Sequence, residues 1–164
     1  MNGRFSSGLK YLLVITLPAC ASLLIASNGF AACSISVSPF AFGNYDVLSS
    51  APLDSAGMLV FRCTQRDKDI SIGIDKGEAP SFNPRLMSNS SGQGTGDNLN
   101  YNLYLDANRQ RIWGDGTGGT QSYFIQNPQP NNQDILVPIF GRIPPLQNVG
   151  SGFYRDTIKA VINF

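Results

Sequence analysis

Few residues in this chain have the types and spacing that chemistry needs. Asp67 and Asp69 flank Lys68 in a polar stretch and could be drawn as the paired carboxylates of a glycosidase. The competing reading is a solvated hairpin tip between two strands, and the apolar alternation on either side favours it. Histidine is absent, which removes the commonest general base and metal ligand along with every Ser-His and Cys-His nucleophile pair. Gly92-Gln-Gly-Thr-Gly96 and the glycine run at 114–119 superficially look like phosphate-cradling loops. Such loops need a helix N-terminus behind them, and no helical periodicity follows either one. Asp115 among glycines could suggest calcium, but no repeated Asp array accompanies it, so a plain turn is expected. Trp113, Tyr123 and Phe124 lie beside these loops and are the candidates for contact with a glycan or an apolar surface. The commoner fate of such aromatics is the core. The expectation is a protein that is not an enzyme, with no cofactor and no metal.

The cysteines point elsewhere. Arg4 and Lys10 precede an apolar run at 11–26, and small residues follow at Gly29, Ala31 and Ala32, the form of a signal peptide. A membrane span is disfavoured, because the run falls short of the ~20 apolar residues required and Pro18 and Asn28 interrupt it. A lipoprotein signal at Leu17-Pro-Ala-Cys20 is a poor fit for the same continuing run. Cleavage after Ala31 gives residues 1–31 as signal and 32–164 as one β-sandwich domain. A competing site after Ala21 has the same small-x-small form. With the first cut only Cys33 and Cys63 remain, an even pair in an exported chain and so an expected disulfide. Closing that loop of about 30 residues is worth roughly 3–4 kcal/mol.

The elements that must position these residues are strands. The chain has 164 residues, 14% charged, with 17 glycines and 10 prolines, a balance suiting one domain of short strands and many turns. Net charge is +1, and loss of Arg4 and Lys10 would leave it near neutral, so no field suggests nucleic acid or an anionic membrane as partner. Cys33, Ile35 and Val37 alternate with serines, and Leu59, Phe61 and Cys63 share one face, so the cysteines can meet across two strands. Residues 40–45 read as a short aromatic strand with Gly43 at a bulge or turn. Ile70, Ile72 and Ile74 alternate, as do Leu99, Tyr101, Leu103 and Leu105. Residues 88–98 read as a loop, and 135–143 as an apolar strand whose Pro138 suits an edge or bulge. Residues 154–164 place Ile158, Ala160, Ile162 and Phe164 on one face. Seven to nine such strands indicate an immunoglobulin-like sandwich. Its last strand has no successor to pair with, so its edge is closed by another segment of the chain or by another polypeptide.

Cys33-Ser-Ile-Ser, Phe42-Gly-Asn-Tyr-Asp46, Gly57 with Cys63, Tyr101-Asn-Leu-Tyr-Leu-Asp106, Ile112-Trp-Gly-Asp-Gly-Thr-Gly118, Phe140-Gly-Arg-Ile-Pro144 and Tyr154-Arg-Asp-Thr-Ile158, in that order, resemble the spore coat protein U domain family. The resemblance covers essentially residues 33–164. It implies an all-β, incomplete immunoglobulin-like β-sandwich with a missing last strand completed in trans, as in archaic chaperone-usher pilus subunits. The implied partners are a periplasmic pilus chaperone, an outer-membrane usher and neighbouring pilus subunits that donate a strand, with no nucleic acid and no stable membrane span. The implied destination is the cell surface or an extracellular fibre or coat, in adhesion or biofilm formation. By the same resemblance Ile158, Ala160, Ile162 and Phe164 border the acceptor groove, and the Phe164 carboxylate is the end the chaperone anchors. Polymerising subunits carry a donor extension before the first cysteine. Cleavage after Ala31 leaves only Ala32 there, which implies a tip or terminal acceptor. Cleavage after Ala21 leaves residues 22–32 as a donor, which implies a shaft subunit. An adhesin acting through its loop aromatics is the alternative.

Overall fold

The computed structural model describes residues 33–64, 69–90, 97–126 and 132–164. The signal segment, residues 22–32 and the expected hairpin tip at Asp67 and Lys68 lie outside them. Nine strands follow in order: β1 (Cys33–Val37), β2 (Leu53–Cys63), β3 (Asp69–Ile74), β4 (Arg85–Asn89), β5 (Asn98–Tyr104), β6 (Tyr123–Gln126), β7 (Ile135–Ile143), β8 (Tyr154–Arg155) and β9 (Ala160–Asn163). They form a six-stranded sheet in the order β1-β2-β7-β5-β4-β8 and a three-stranded sheet in the order β6-β3-β9, with every named pairing antiparallel.

Alternation decides which side chains fill the space between the sheets. Ile70, Ile72 and Ile74 of β3 face Leu59 and Phe61 of β2, Val137 and Ile139 of β7, and Leu99 and Leu103 of β5, all buried in one core. Cys33 lies directly opposite Cys63 in the β1–β2 register, and the two are joined by a disulfide. The bridge pins the five-residue strand β1, whose only ladder among the described residues is to β2.

Three expectations about the strands need correction. Residues 40–45 form no strand. Phe40 and Phe42 instead enter the core from a loop, where Gly57 on β2 and Gly141 on β7 leave room for their rings. Gly43 has φ 87°, which permits the turn beyond them. Residues 88 and 89 belong not to a loop but to β4, whose short Arg-Leu-Met-Ser-Asn run carries too weak an alternation to announce itself. β7 is not an edge strand, since it lies between β2 and β5. Its Pro138 pairs with Met58 on one side, while the β5 ladder ends at Phe140. The missing N–H therefore falls where the far side of β7 has no ladder partner among the described residues.

Candidate functional site

After β8 the chain leaves the large sheet, turns at residues 156–159, and joins the small sheet as β9. This crossover brings β9 to the same side of the sandwich as β1. Each is the terminal strand of its sheet, so among the described residues no strand pairs with the outer edge of either. Beside these two strands a groove of about 460 Å³ opens between the segment at 37–42 and the crossover at 154–160. It meets β1 at Val37 and β9 at Ala160, with Ile158 of the crossover beside them, and its floor is core, including Leu59, Leu103 and Trp113. A second cavity, about 750 Å³, adjoins it and shares Phe40, Phe42, Met87 and Tyr154. An apolar floor thus lies open beside two strands whose outer edges have no partner among the described residues.

The expected groove residues divide. Ile158 and Ala160 line it, and Ile162 packs on the core opposite Ile72. Phe164 follows β9 and is 54% exposed, away from the core. The expected surface aromatics divide as well. Trp113 makes no surface contact, which corrects that expectation: it is fully buried, and its indole N–H donates to the Ile72 carbonyl at 2.9 Å. Ring packing holds it there, with Tyr123 at 6.4 Å and Tyr123 in turn edge-on to Phe61 at 6.3 Å. Phe124 does face solvent, 60% exposed on the outer side of the small sheet.

The sequence reading missed Val37, Phe40, Phe42, Tyr101 and Asp156 as groove residues. The two phenylalanines carry a signal, an aromatic pair spaced by one, but that spacing fits a short strand equally well. Tyr101 and Asp156 carried none beyond the motifs that contain them.

Beneath the groove a polar network replaces apolar packing. Arg85 is completely buried. Its guanidinium donates to Asn102 Oδ1 at 2.7 Å, to the Trp113 carbonyl at 2.7 Å, and through two nitrogens to the Asp75 carbonyl at 3.1 and 2.9 Å. Burial lowers its pKa, and the opposing charges of Asp156, Asp75 and Asp115 resist that shift. Tyr101 donates its hydroxyl to Asp156 Oδ2 at 2.6 Å. Burial first, and the bond to Asp156 second, push the phenol well above its ordinary range, so it remains a donor. Among the described residues no cluster of three or more His, Cys, Asp or Glu is placed to hold a metal, and no helix is long and apolar enough to cross a membrane.

The Spore Coat Protein U domain model matches residues 19–161. This chain belongs to the Spore Coat Protein U domain family. The family is one of structural proteins rather than enzymes. Protein U of Myxococcus xanthus is 34% identical over 161 residues, an alignment covering 89% of this chain and 85% of that protein. Among solved structures the fold is similar to that in the chaperone–tip adhesion subunit pre-assembly complex of the archaic chaperone-usher Csu pili of Acinetobacter baumannii. The TM-score is 0.57 at 20% identity, with 82% of this chain covered. The chain spans 40% of the length of that structure's matched chain. The shared fold is the immunoglobulin-like sandwich.

Proposed function

We propose that this chain is a structural subunit of a surface fibre or coat, exported through the periplasm and completed by a strand from another polypeptide laid into the groove beside the 154–160 crossover. The observation that carries this is the groove itself, where the hydrophobic core lies open between the 37–42 segment and the 154–160 crossover, beside two strands that end their sheets. A core open to water is costly, and an inserted strand offsets that cost by burying alternate apolar side chains while its backbone satisfies both edges. Family membership and the sandwich shared with a chaperone-bound pilus subunit support the reading.

In this account a periplasmic chaperone fills the groove first, an outer-membrane usher exchanges it, and a neighbouring subunit supplies the permanent strand. Ile158 and Ala160 contact that strand directly, with Ile162 packed on the core nearby. Processing after Ala31 makes the chain an acceptor without a donor, hence a tip or terminal subunit in adhesion.

The test is incorporation. Wild-type chain enters surface assemblies that resist SDS and dissociate on heating, whereas Ala160→Arg, which puts a charged side chain in the groove, folds with its disulfide and stays out. Equal incorporation of both overturns the reading. The intact mass of the exported chain assigns the place: a start at Ala32 fits the terminal role, and a start at Ser22 makes it a shaft subunit.

A further inference from the structure

Every residue from Tyr154 to Ile158 lines the groove, so the crossover from β8 to β9 is one of its walls. Strand pairing does little to hold that wall. β8 is two residues long and pairs with β4 only through Arg155 and Tyr154, and the ladder of β9 with β3 begins at Ala160.

Two carboxylates do the holding. Asp156 Oδ1 accepts from the backbone N–H groups of Thr157 at 2.7 Å and Glu78 at 3.3 Å, and Oδ2 accepts from the Tyr101 hydroxyl at 2.6 Å. Asp75 Oδ1 accepts from the backbone N–H groups of Lys159 at 2.9 Å and Gly77 at 3.1 Å. The Asp75 N–H donates to the Lys159 carbonyl at 2.9 Å, and its own carbonyl takes two bonds from buried Arg85. Gly77, at φ 63°, turns the 75–78 loop close against Asp156, where a Cβ would meet the carboxylate. Tyr101 belongs to both systems, since it lines the groove and its hydroxyl ties the crossover to β5.

We propose that Tyr101 and Asp156 are the positioning pair of the acceptor groove, fixing the crossover wall so that the space over the core stands open before a strand arrives. This rests on the strand-acceptor reading above. A hydroxyl–carboxylate bond is a suitable device because it is short and directional and does not occupy the apolar volume that the incoming strand requires. Without it the crossover keeps its bonds to the 75–78 loop but loses its tie to β5, so its populations shift inward over the floor and an entering strand must first displace it.

The test uses the oxidised full mature chain and a short synthetic peptide in which valine alternates with threonine, capped with lysines, and Trp113 emission follows its entry. Tyr101→Phe keeps the ring that packs edge-on to Phe42 at 5.9 Å and removes only the hydroxyl. Its peptide affinity is expected to fall about tenfold, the scale of one hydrogen bond to a charged group. Asp156→Ala loses more than Asp156→Asn, which still accepts from the backbone. Asp134→Asn, which alters the surface pair with Arg62, changes nothing.

The thermal midpoint of each free variant separates positioning from bracing. Peptide affinity equal to wild type in Tyr101→Phe, whatever its midpoint, overturns the proposal. A wild-type chain that takes up no peptide overturns the strand-acceptor reading instead, and the positioning pair with it.

Discussion

Phe40 and Phe42 reach the core from a loop, and two glycines on neighbouring strands make the space. A Cβ on Gly141 would lie 2.6 Å from Phe40 Cζ and 2.7 Å from Phe42 Cζ, and one on Gly57 would lie 2.6 Å from Phe40 Cδ2. Gly141→Ala therefore displaces both rings. Neither is free to move alone, because they pack edge-on at 5.0 Å and Phe42 packs in turn on Tyr101. Overpacking of this kind costs about 1–3 kcal/mol. With a urea slope of about 1–2 kcal/mol/M, the midpoint falls by roughly 1 M. Phe40→Ala alone loses a half-buried ring, at about 2–3 kcal/mol, below the range for a fully buried one. In the double variant the alanine methyl occupies space the ring has left, so the two costs fall short of their sum by about 1 kcal/mol or more. Urea unfolding followed by Trp113, the single tryptophan, with the disulfide intact, measures all three. Costs that add to within about 0.5 kcal/mol refute the placement of Phe40 between these glycines.

Other consequences follow from the same contacts. Replacing both Cys33 and Cys63 with serine lowers stability by about 3–4 kcal/mol in guanidinium titration, from the loop of 30 residues the bridge closes. Arg85→Met and Arg85→Lys each cost about 3–5 kcal/mol in calorimetry, since a lysine restores the charge but not the fork that serves Asn102, Asp75 and Trp113 together. Asp54 accepts both nitrogens of Arg142 and lies beside Arg109, and the Arg142 hydrogen bond above all holds its pKa below the ordinary 3.8. Because the folded value is the lower one, this pair contributes stability above the unfolded pKa that is lost as pH falls through the folded one. Asp54→Asn thus flattens the acid limb of a stability–pH curve below about pH 4, by under about 1 kcal/mol for so exposed a pair. Phe124→Ser leaves the unfolding midpoint within about 0.5 kcal/mol of wild type, as its exposed side chain requires.

The parts of the fold that were legible in the sequence are those where alternation runs long enough to be unambiguous. Ile70-Ile72-Ile74, Leu59-Phe61-Cys63 and Leu99-Tyr101-Leu103 all face the core as their period of two requires. The Cys33–Cys63 pairing was legible because both its members sat on inward faces. β4 and β6 were not, since four or five residues carry too few alternations to separate a strand from a loop. Phe40-Ala-Phe42 misled for a tertiary reason: the room for two rings is made by Gly57 and Gly141, about 15 and 100 residues downstream, and no local pattern reveals it. The groove was half legible. Ile158 and Ala160 follow from the last alternating run, but Val37 and Tyr101 join them only because the crossover at Asp156 carries β9 across to the β1 side of the sandwich. Trp113 beside a glycine loop left surface contact open as the less common alternative to the core that it occupies. The partner that keeps it inside, the Ile72 carbonyl, lies 41 residues away.

Amide hydrogen exchange on β1 and β9, compared between the isolated chain and the chain in its assembled form, tests the central claim most directly. The account predicts that amides on the outer edges of both strands exchange readily in isolation and become protected by a hundredfold or more on assembly, while the 46–49 loop is unchanged. Edge amides already protected in the isolated chain, or still exchanging freely in the assembly, would show that no strand from another chain fills the groove.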